Sequence, residues 1–106
     1  MTEFTERVIQ LIKQIPKGRV ATYGQIAKLT GNPQASRQIS YILHQYSKEY
    51  DLPWQRVINS KGRISLRAGD GYEMQKAMLE SEGIIFEDEK LDLKKYLWFA
   101  EYRRIN

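Results

Sequence analysis

Residues 22–37, with the sequence TYGQIAKLTGNPQASR, decide the fold because they carry the boundary signals of two helices joined by a very short turn. Thr22 and Gln25 have the spacing of a capping box, in which each side chain bonds the other residue's backbone N–H. Gly31 marks the end of that helix. Asn32-Pro33 predicts the start of the next helix, with asparagine as the cap and proline at the first helical position. The stretch therefore predicts a helix-turn-helix.

The helix that follows should present two faces of opposite character. The side chains predicted to pack inward are Ala35, Ile39, Ile42 and Leu43. The side chains on the other face, at positions i, i+4, i+7 and i+11, are Arg37, Tyr41, His44 and Lys48. We expect this second, basic and aromatic face to be exposed, with Tyr41 and His44 either in contact with phosphates or in solvent.

Two further elements flank this unit. Apolar residues recur at helical spacing from Phe4 to Ile15, which predicts an amphipathic first helix with Thr2 as its cap. Downstream, the apolar segments Val57-Ile58 and 63–66 flank the turn-rich tetrad 59–62. This pattern predicts a short hairpin or wing.

The last third of the chain predicts one more helix and a tail. Apolar positions over 74–81 mark the helix, which should end at Gly83. The tail, 86–106, mixes charged with apolar residues, and we expect its apolar side to pack on the core. The sequence therefore predicts a single domain over 1–106, mainly α with a small β-hairpin, of the winged helix-turn-helix type.

Composition excludes several kinds of chemistry. The chain has 106 residues, a formal net charge of +4, no cysteine and a single histidine, His44. Disulfides, thiol nucleophiles and metal sites built from cysteines or several histidines are therefore excluded. The positive charge suits an anionic partner. No apolar run is long enough to span a bilayer and the first residues do not resemble a signal peptide, so we expect a cytoplasmic protein without a metal or cofactor.

Three segments, Val20–Ala27, Gly31–Arg37 and Pro53–Gly62, carry a family resemblance. In order and spacing they resemble the DNA-binding domain of the O6-alkylguanine-DNA alkyltransferases. The active-site loop of that family has the sequence Pro-Cys-His-Arg-Val, whereas this chain has Pro53-Trp54-Gln55-Arg56-Val57. With tryptophan in place of the reactive cysteine, the chain is similar to the alkyltransferase-like proteins, which bind alkylated guanine without repairing it. The resemblance covers about residues 4 to 85 and is weak over the tail.

The resemblance implies that two residues move the damaged nucleotide out of the duplex. Arg37 corresponds to the arginine finger of the family, which enters the gap in the base stack and hydrogen-bonds the orphaned cytosine. Tyr23 corresponds to the tyrosine that crowds the phosphate of the target nucleotide. The alternatives are a solvated or phosphate-bound Arg37 and a Tyr23 that belongs to the core.

The resemblance also implies a lesion pocket formed by Tyr23, Trp54 and Arg67. An indole has no lone pair nucleophilic enough to accept an alkyl group, so Trp54 either covers the lesion or fills the vacated space. Arg67 corresponds to a basic residue near the flipped base, or else stays in solvent. Gln55 replaces the histidine that activates the cysteine. Glu82 corresponds to the glutamate of the same relay, and we expect it to have a structural role here.

Other DNA contacts are expected around the helix-turn-helix and the wing. These residues are Thr22, Gln34, Ser36, Tyr41, Arg56, Ser60 and Lys61. Arg56 has a second interpretation, in which it ties its loop to neighbouring carbonyls or carboxylates. Ala68 stands where the transferases have a serine that faces the guanine, so only its backbone N–H can replace that contact.

The hypothesis that follows is a monomeric, non-enzymatic protein that docks its helix-turn-helix in the minor groove of duplex DNA. There it flips O6-alkylguanine and marks it for nucleotide excision repair. One alternative is a transcriptional regulator that binds undamaged DNA in the major groove through residues such as Gln34 and Gln38. Another is a residual enzyme, for which Asp51 or Glu82 are nominal carboxylates.

Overall fold

The computed structural model describes residues 1–99. In chain order the elements of this part are α1 (Glu3–Lys13), β1 (Ala21–Thr22), α2 (Tyr23–Leu29), α3 (Ser36–Tyr50), a 3₁₀ turn (Trp54–Arg56), β2 (Val57–Ile58), α4 (Tyr72–Ser81) and α5 (Leu93–Tyr96). Helices α1, α2 and α3 pack against one another, and α4 packs against the 3₁₀ turn. The predicted fold class, mainly α with a small β element, is confirmed.

Local signals place several helix ends correctly. The Thr2 side chain caps α1, as predicted. At the start of α2 the Thr22 hydroxyl accepts from the Gln25 N–H at 3.0 Å, and the Gln25 side chain accepts from the Thr22 N–H at 3.2 Å. Gly31 follows α2 at φ +96°, and Gly83 follows α4 at φ +94°, both in the left-handed region that favours glycine. The capping box and both glycine stops are confirmed.

The start of α3 differs from the prediction. The helix begins at Ser36, after Ala35, which makes no capping hydrogen bond with a side chain. Asn32 belongs to the preceding turn, because its N–H donates to the Ala27 carbonyl at 3.0 Å and its carbonyl accepts from the Ala35 N–H at 3.0 Å. The prediction of Asn32 as the cap is therefore wrong, because α3 begins four residues later, at Ser36. Arg37 becomes the second residue of the helix.

The two faces of α3 are as predicted. The buried residues are Ala35, Ile39, Ile42 and Leu43, which join Val8, Ile9 and Ile12 of α1 in one apolar cluster. The exposed residues are Arg37, Tyr41, His44 and Lys48. The helix therefore has one side in the core and offers a basic and aromatic side to solvent.

The small sheet is not the predicted hairpin. Strands β1 and β2 pair in parallel, with Ala21 opposite Val57 and Thr22 opposite Ile58, and 63–66 form no strand. Two segments that are more than thirty positions apart in sequence are thereby joined side by side. The strand that pairs with β2 thus comes from the start of the helix-turn-helix.

The tetrad after β2 does form a turn, but the chain does not return along β2 as a strand. The Asn59 side chain accepts from the Arg63 N–H at 3.0 Å, which closes the turn. The Gln75 side chain of α4 donates to the Val57 carbonyl at 3.0 Å, and the Gly62 carbonyl accepts an N–H of the tail at 3.0 Å. These partners from α4 and the tail take backbone groups that a returning strand needs, so no hairpin ladder forms.

The tail lies back on the core as far as the structure describes it. The Val20 N–H donates to the Tyr96 carbonyl at 2.9 Å, and the Trp98 N–H donates to the Val20 carbonyl at 2.8 Å. Trp98 is only 5% exposed, and its carbonyl accepts from the Gln25 side chain at 2.6 Å. The tail therefore supports the capping box at the start of α2. Residues 100–106 of the predicted tail lie outside the described residues.

Candidate nucleic-acid interface

An open cleft of about 960 Å³ lies between α3, the 3₁₀ turn and the loop 65–71. Helix α3 contributes residues at helical spacing between Ser40 and Lys48. Tyr23, at the start of α2, and Trp54, in the 3₁₀ turn, line the same cleft. The structure therefore brings together two of the three residues predicted for the lesion pocket.

Tyr23 is half-buried at the edge of this cleft. Burial raises the pKa of its hydroxyl, while a hydrogen bond with the Ser65 side chain acts in the opposite direction and is the weaker effect. The phenol therefore stays neutral around physiological pH and keeps its proton. A neutral hydroxyl beside an open cleft is able to donate to a phosphate oxygen.

The turn that carries Trp54 is held by a partly buried ion pair between Arg56 and Glu82. Glu82 accepts from the Gln55 side chain at 2.8 Å, from Arg56 Nε at 3.0 Å and from the Gly18 N–H at 3.1 Å. Arg56 also donates from Nη1 to the Ile15 carbonyl at 2.8 Å. These bonds agree with the interpretation in which Arg56 holds its loop against a neighbouring carboxylate and carbonyl. Its guanidinium is thereby engaged within the protein, although Arg56 also lines the open cleft, and its role as a DNA contact stays a prediction.

Glu82 is ionised in this arrangement. Burial on its own raises the pKa of the carboxyl group, but hydrogen bonds from Arg56, Gln55 and Gly18, together with the charge of Arg56, outweigh burial. The net effect is a pKa below the ordinary value of glutamate. All three donors point at the carboxylate, so Glu82 has the structural role that the sequence predicts.

Gln75 is a residue that the sequence reasoning missed. It is 2% exposed, and its side chain donates to the carbonyls of Gln55 and Val57, both at 3.0 Å. The available signal was its spacing, because it lies one helical turn before Leu79, which is fully buried. A polar residue at a buried helical position indicates a specific hydrogen-bond partner. Here that partner is the backbone that carries Trp54.

Arg37 lies near the N-terminal end of α3. It is exposed in the first turn of α3, and within residues 1–99 no ion pair or hydrogen bond engages its guanidinium. It lies three positions before Ser40, so it continues the row of α3 residues that line the cleft. An exposed cation beside a concave site is free to contact an anionic partner, and the role of Arg37 as the arginine finger stays a prediction.

Arg67 is not brought into the cleft, although its neighbour Leu66 lines it. The side chain of Arg67 is exposed, and its carbonyl accepts from the Asp70 N–H at 2.9 Å. Ala68 is exposed on the same loop, while Ser60 and Lys61 are exposed on the turn after β2. Arg67 therefore lies beyond the lining of the predicted lesion pocket.

The remaining predicted contacts lie around the helix-turn-helix. Gln34 is exposed in the turn before α3, Ser36 begins the helix, and Tyr41 is 64% exposed. The Thr22 hydroxyl already accepts a hydrogen bond as the cap of α2. Three of these four side chains are thus accessible at one end of the helix-turn-helix, and the fourth has a structural partner.

Among residues 1–99, no three histidine, aspartate or glutamate side chains are grouped so as to hold a metal ion. In the same range no helix combines the length and apolar character required to cross a membrane.

The sequence matches the family described as 6-O-methylguanine DNA methyltransferase, DNA binding domain, over residues 3–84. It is 46% identical over 99 residues to the DNA base-flipping protein of Vibrio parahaemolyticus, and the match covers 92% of this chain and 98% of that protein. It is 40% identical over 104 residues to Alkyltransferase-like protein 1 of Schizosaccharomyces pombe, with 92% and 96% covered.

The structure is similar to that of S. pombe Atl1 in complex with damaged DNA containing O6-carboxymethylguanine. The TM-score is 0.83 at 39% identity, and the match covers 93% of this chain and 97% of the other. Fold and site together define a class of helix-turn-helix domains in which a cleft opens beside the second helix. The chain belongs to the family of the 6-O-methylguanine DNA methyltransferase DNA-binding domain, and within it to the alkyltransferase-like proteins.

Proposed function

We propose that this protein binds O6-alkylguanine in duplex DNA and holds the flipped base in the cleft without removing the alkyl group. The observation that carries the proposal is that Tyr23 and Trp54 line one open cleft beside α3. The second residue of that helix, Arg37, is exposed and has no ion pair or hydrogen bond with its guanidinium among residues 1–99. The relatives support it, because one is named for base flipping and another is seen with alkylated DNA.

In the proposed mechanism α3 docks in the minor groove and Arg37 enters the base stack. Flipping a base costs a few kcal/mol of pairing and stacking, and the inserted guanidinium offsets part of this cost by bonding the orphaned cytosine. The Tyr23 hydroxyl donates to the phosphate of the rotated nucleotide. Trp54 then covers the flipped purine, at about 1 to 3 kcal/mol per stacked base. Arg67, on the rim, meets the base only after its side chain turns inward.

The protein is proposed to bind without catalysis. A cysteine acceptor is missing from the whole sequence, and the indole of Trp54 is no substitute for a thiolate. Gln55 has its amide bonded to Glu82 and carries no basic nitrogen, so it is unable to activate a nucleophile. We therefore propose that the protein binds the lesion as a monomer and that the protein–DNA complex is then recognised by nucleotide excision repair.

The first test is a competition titration of two short duplexes that differ only by O6-methylguanine in place of one guanine. Preferential binding of the damaged duplex is expected at every salt concentration tested. A fluorescent base analogue placed opposite or next to the lesion should brighten as the stack opens. Equal affinity for both duplexes would instead favour a regulator that binds undamaged DNA. Release of an alkyl group or of a free base from the duplex would favour an enzyme.

A further inference from the structure

Ser47 occupies a position in the cleft that the proposed mechanism does not use. It lies on α3 about two turns after Ser40, and both residues line the cleft. The Ser47 carbonyl accepts from the Leu52 N–H at 2.9 Å, and the Leu52 carbonyl accepts from the Trp54 N–H at 2.8 Å. Ser47 is therefore linked through the backbone to the base of the segment that carries Trp54.

The Ser47 hydroxyl oxygen is buried and has no hydrogen-bond partner among the described residues. Hydroxyls on helices often bond the carbonyl one turn back, and in this protein the Thr30 hydroxyl does so with the Ile26 carbonyl at 2.7 Å. Ser47 lacks such a bond. A buried polar atom without a partner costs free energy, which is recovered when a ligand supplies the partner.

The surroundings of Ser47 are mixed in character. Leu43, Leu52 and Met78 give the cleft an apolar surface close to Trp54, which suits the carbon atoms of an alkyl chain. The Ser47 hydroxyl is buried beneath that surface, so a ligand in the cleft meets it only after rotation about one side-chain bond. A chain that is apolar along its length and polar at its end matches this arrangement.

We propose that Ser47 is a specificity-determining residue that selects adducts whose alkyl chain ends in a hydroxyl group. A serine hydroxyl both donates and accepts, so it is matched by another hydroxyl. An adduct of equal length that ends in a methyl group leaves the serine unpaired and is bound less tightly. This inference rests on the proposed function, because it assumes that the adduct enters the cleft.

The experiment compares two lesions of equal size. One duplex carries O6-(2-hydroxyethyl)guanine, a second carries O6-propylguanine and a third carries guanine. Competition titrations give the affinity ratio of hydroxyethyl over propyl for the wild type and for Ser47→Ala. We expect the wild type to favour the hydroxyethyl adduct, and Ser47→Ala to lower the ratio about threefold to tenfold, as one hydrogen bond predicts. Ser47→Thr keeps the hydroxyl and should keep most of the ratio.

Gln45→Ala is the matched control, because Gln45 is an exposed polar residue of the same helix that does not line the cleft. It should leave the ratio unchanged. An unchanged ratio in Ser47→Ala, or an equal change in Gln45→Ala, would overturn the inference while the proposed function stands. A wild type that binds neither lesion more tightly than guanine would overturn both.

A melting curve of Ser47→Ala separates binding from folding. Since the hydroxyl has no internal partner, its removal should leave the midpoint of thermal unfolding unchanged or slightly raised. A clearly lower midpoint would show that the hydroxyl is bonded within the protein, and that result would also overturn the inference.

Discussion

The two walls of the cleft are held in very different ways. The first, which we call the Trp54 wall, comprises 53–57 and is bonded to α4 and to the end of α1 through Gln75, Glu82 and Ile15. The second, the loop wall, comprises 65–71. Its backbone hydrogen bonds stay within the loop and the first turn of α4, and residues 65–70 are all exposed.

This difference indicates that the two walls have different roles, one as a fixed surface and the other as an adjustable one. The wall that carries the aromatic surface is fixed by partners distant in sequence, so Trp54 has its position before any ligand arrives. The loop wall depends mainly on local bonds such as the one from the Gly69 N–H to Glu73 at 3.0 Å, and its one distant bond among the described residues joins the Ser65 and Tyr23 side chains. Elements with few long-range contacts open at low free-energy cost. If the protein flips bases as proposed, we expect base stacking to fall to the fixed wall and adjustment to lesion size to the loop wall.

The largest effect should come from breaking the Trp54 wall. Glu82→Ala leaves the partly buried Arg56 without its counter-charge, and we expect a loss of about 1.5 to 3 kcal/mol, the range for hydrogen bonds to charged groups. Urea denaturation measures this as a lower midpoint. The matched control is Glu89→Ala, since Glu89 also binds a cation, Lys76, at 3.0 Å but on the surface. That exposed pair should contribute below about 1 kcal/mol. Equal losses in the two variants would contradict a fixed Trp54 wall.

The next effect concerns binding. Trp54→Ala should remove about 1 to 3 kcal/mol of the preference for damaged over undamaged duplex, because the flipped base loses its stacking surface. Arg37→Ala should weaken binding to both duplexes, since entry into the stack precedes recognition. Titration of both duplexes with each variant tests the division. If Lys61→Ala, an exposed change on the turn after β2, reduces discrimination as strongly as Trp54→Ala, the assignment of Trp54 is wrong.

Acid should loosen the Trp54 wall selectively. The folded-state pKa of Glu82 lies below its ordinary value of 4.5, so the unfolded chain takes up the proton first as pH falls. The stabilisation is fully present above that ordinary value and is lost as pH falls through the folded pKa. Urea midpoints from about pH 7 to about pH 3 should therefore decline less steeply in Glu82→Gln than in the wild type. Parallel curves would show that another group controls acid sensitivity.

The smallest effect on stability is expected in the loop wall. Arg67→Ala removes an exposed side chain that does not line the cleft, so the free energy of unfolding should change by less than about 0.5 kcal/mol. Any change in affinity should be confined to damaged duplex. A loss of stability comparable to that of Glu82→Ala would mean that the two walls are not held differently after all.

The parts of this fold that were predictable depend on residues close together in sequence. The capping box of Thr22 and Gln25, the glycine stop at Gly31 and the two faces of α3 each follow from residues within one or two helical turns. The start of α3 was missed because Asn32-Pro33 suits a turn as well as a helix start. In the structure the backbone hydrogen bonds of Asn32, to Ala27 and from Ala35, place it in the turn.

The rest of the site depends on partners that are distant in sequence. Arg56 had two interpretations until Glu82, 26 positions later, was seen to accept its hydrogen bonds. The hairpin was wrong because β2 pairs with β1 and because Gln75 binds the Val57 carbonyl. Charge and hydrophobicity patterns do not specify such pairings. Arg67 was placed in the pocket by resemblance alone, and its side chain lies outside the lining.

The parallel pairing of β1 with β2 has a consequence for redesign. Tyr23 follows β1 directly, and Trp54 comes three positions before β2. The pairing of Ala21 with Val57 therefore helps to fix the distance between the two aromatic side chains. A change of the strand register by one residue would shift one of these aromatic residues by about 3.3 Å along the strand direction and would reverse which side chains face the core. A redesign for larger or smaller adducts should therefore replace side chains that line the cleft and keep the register of β1 with β2 unchanged.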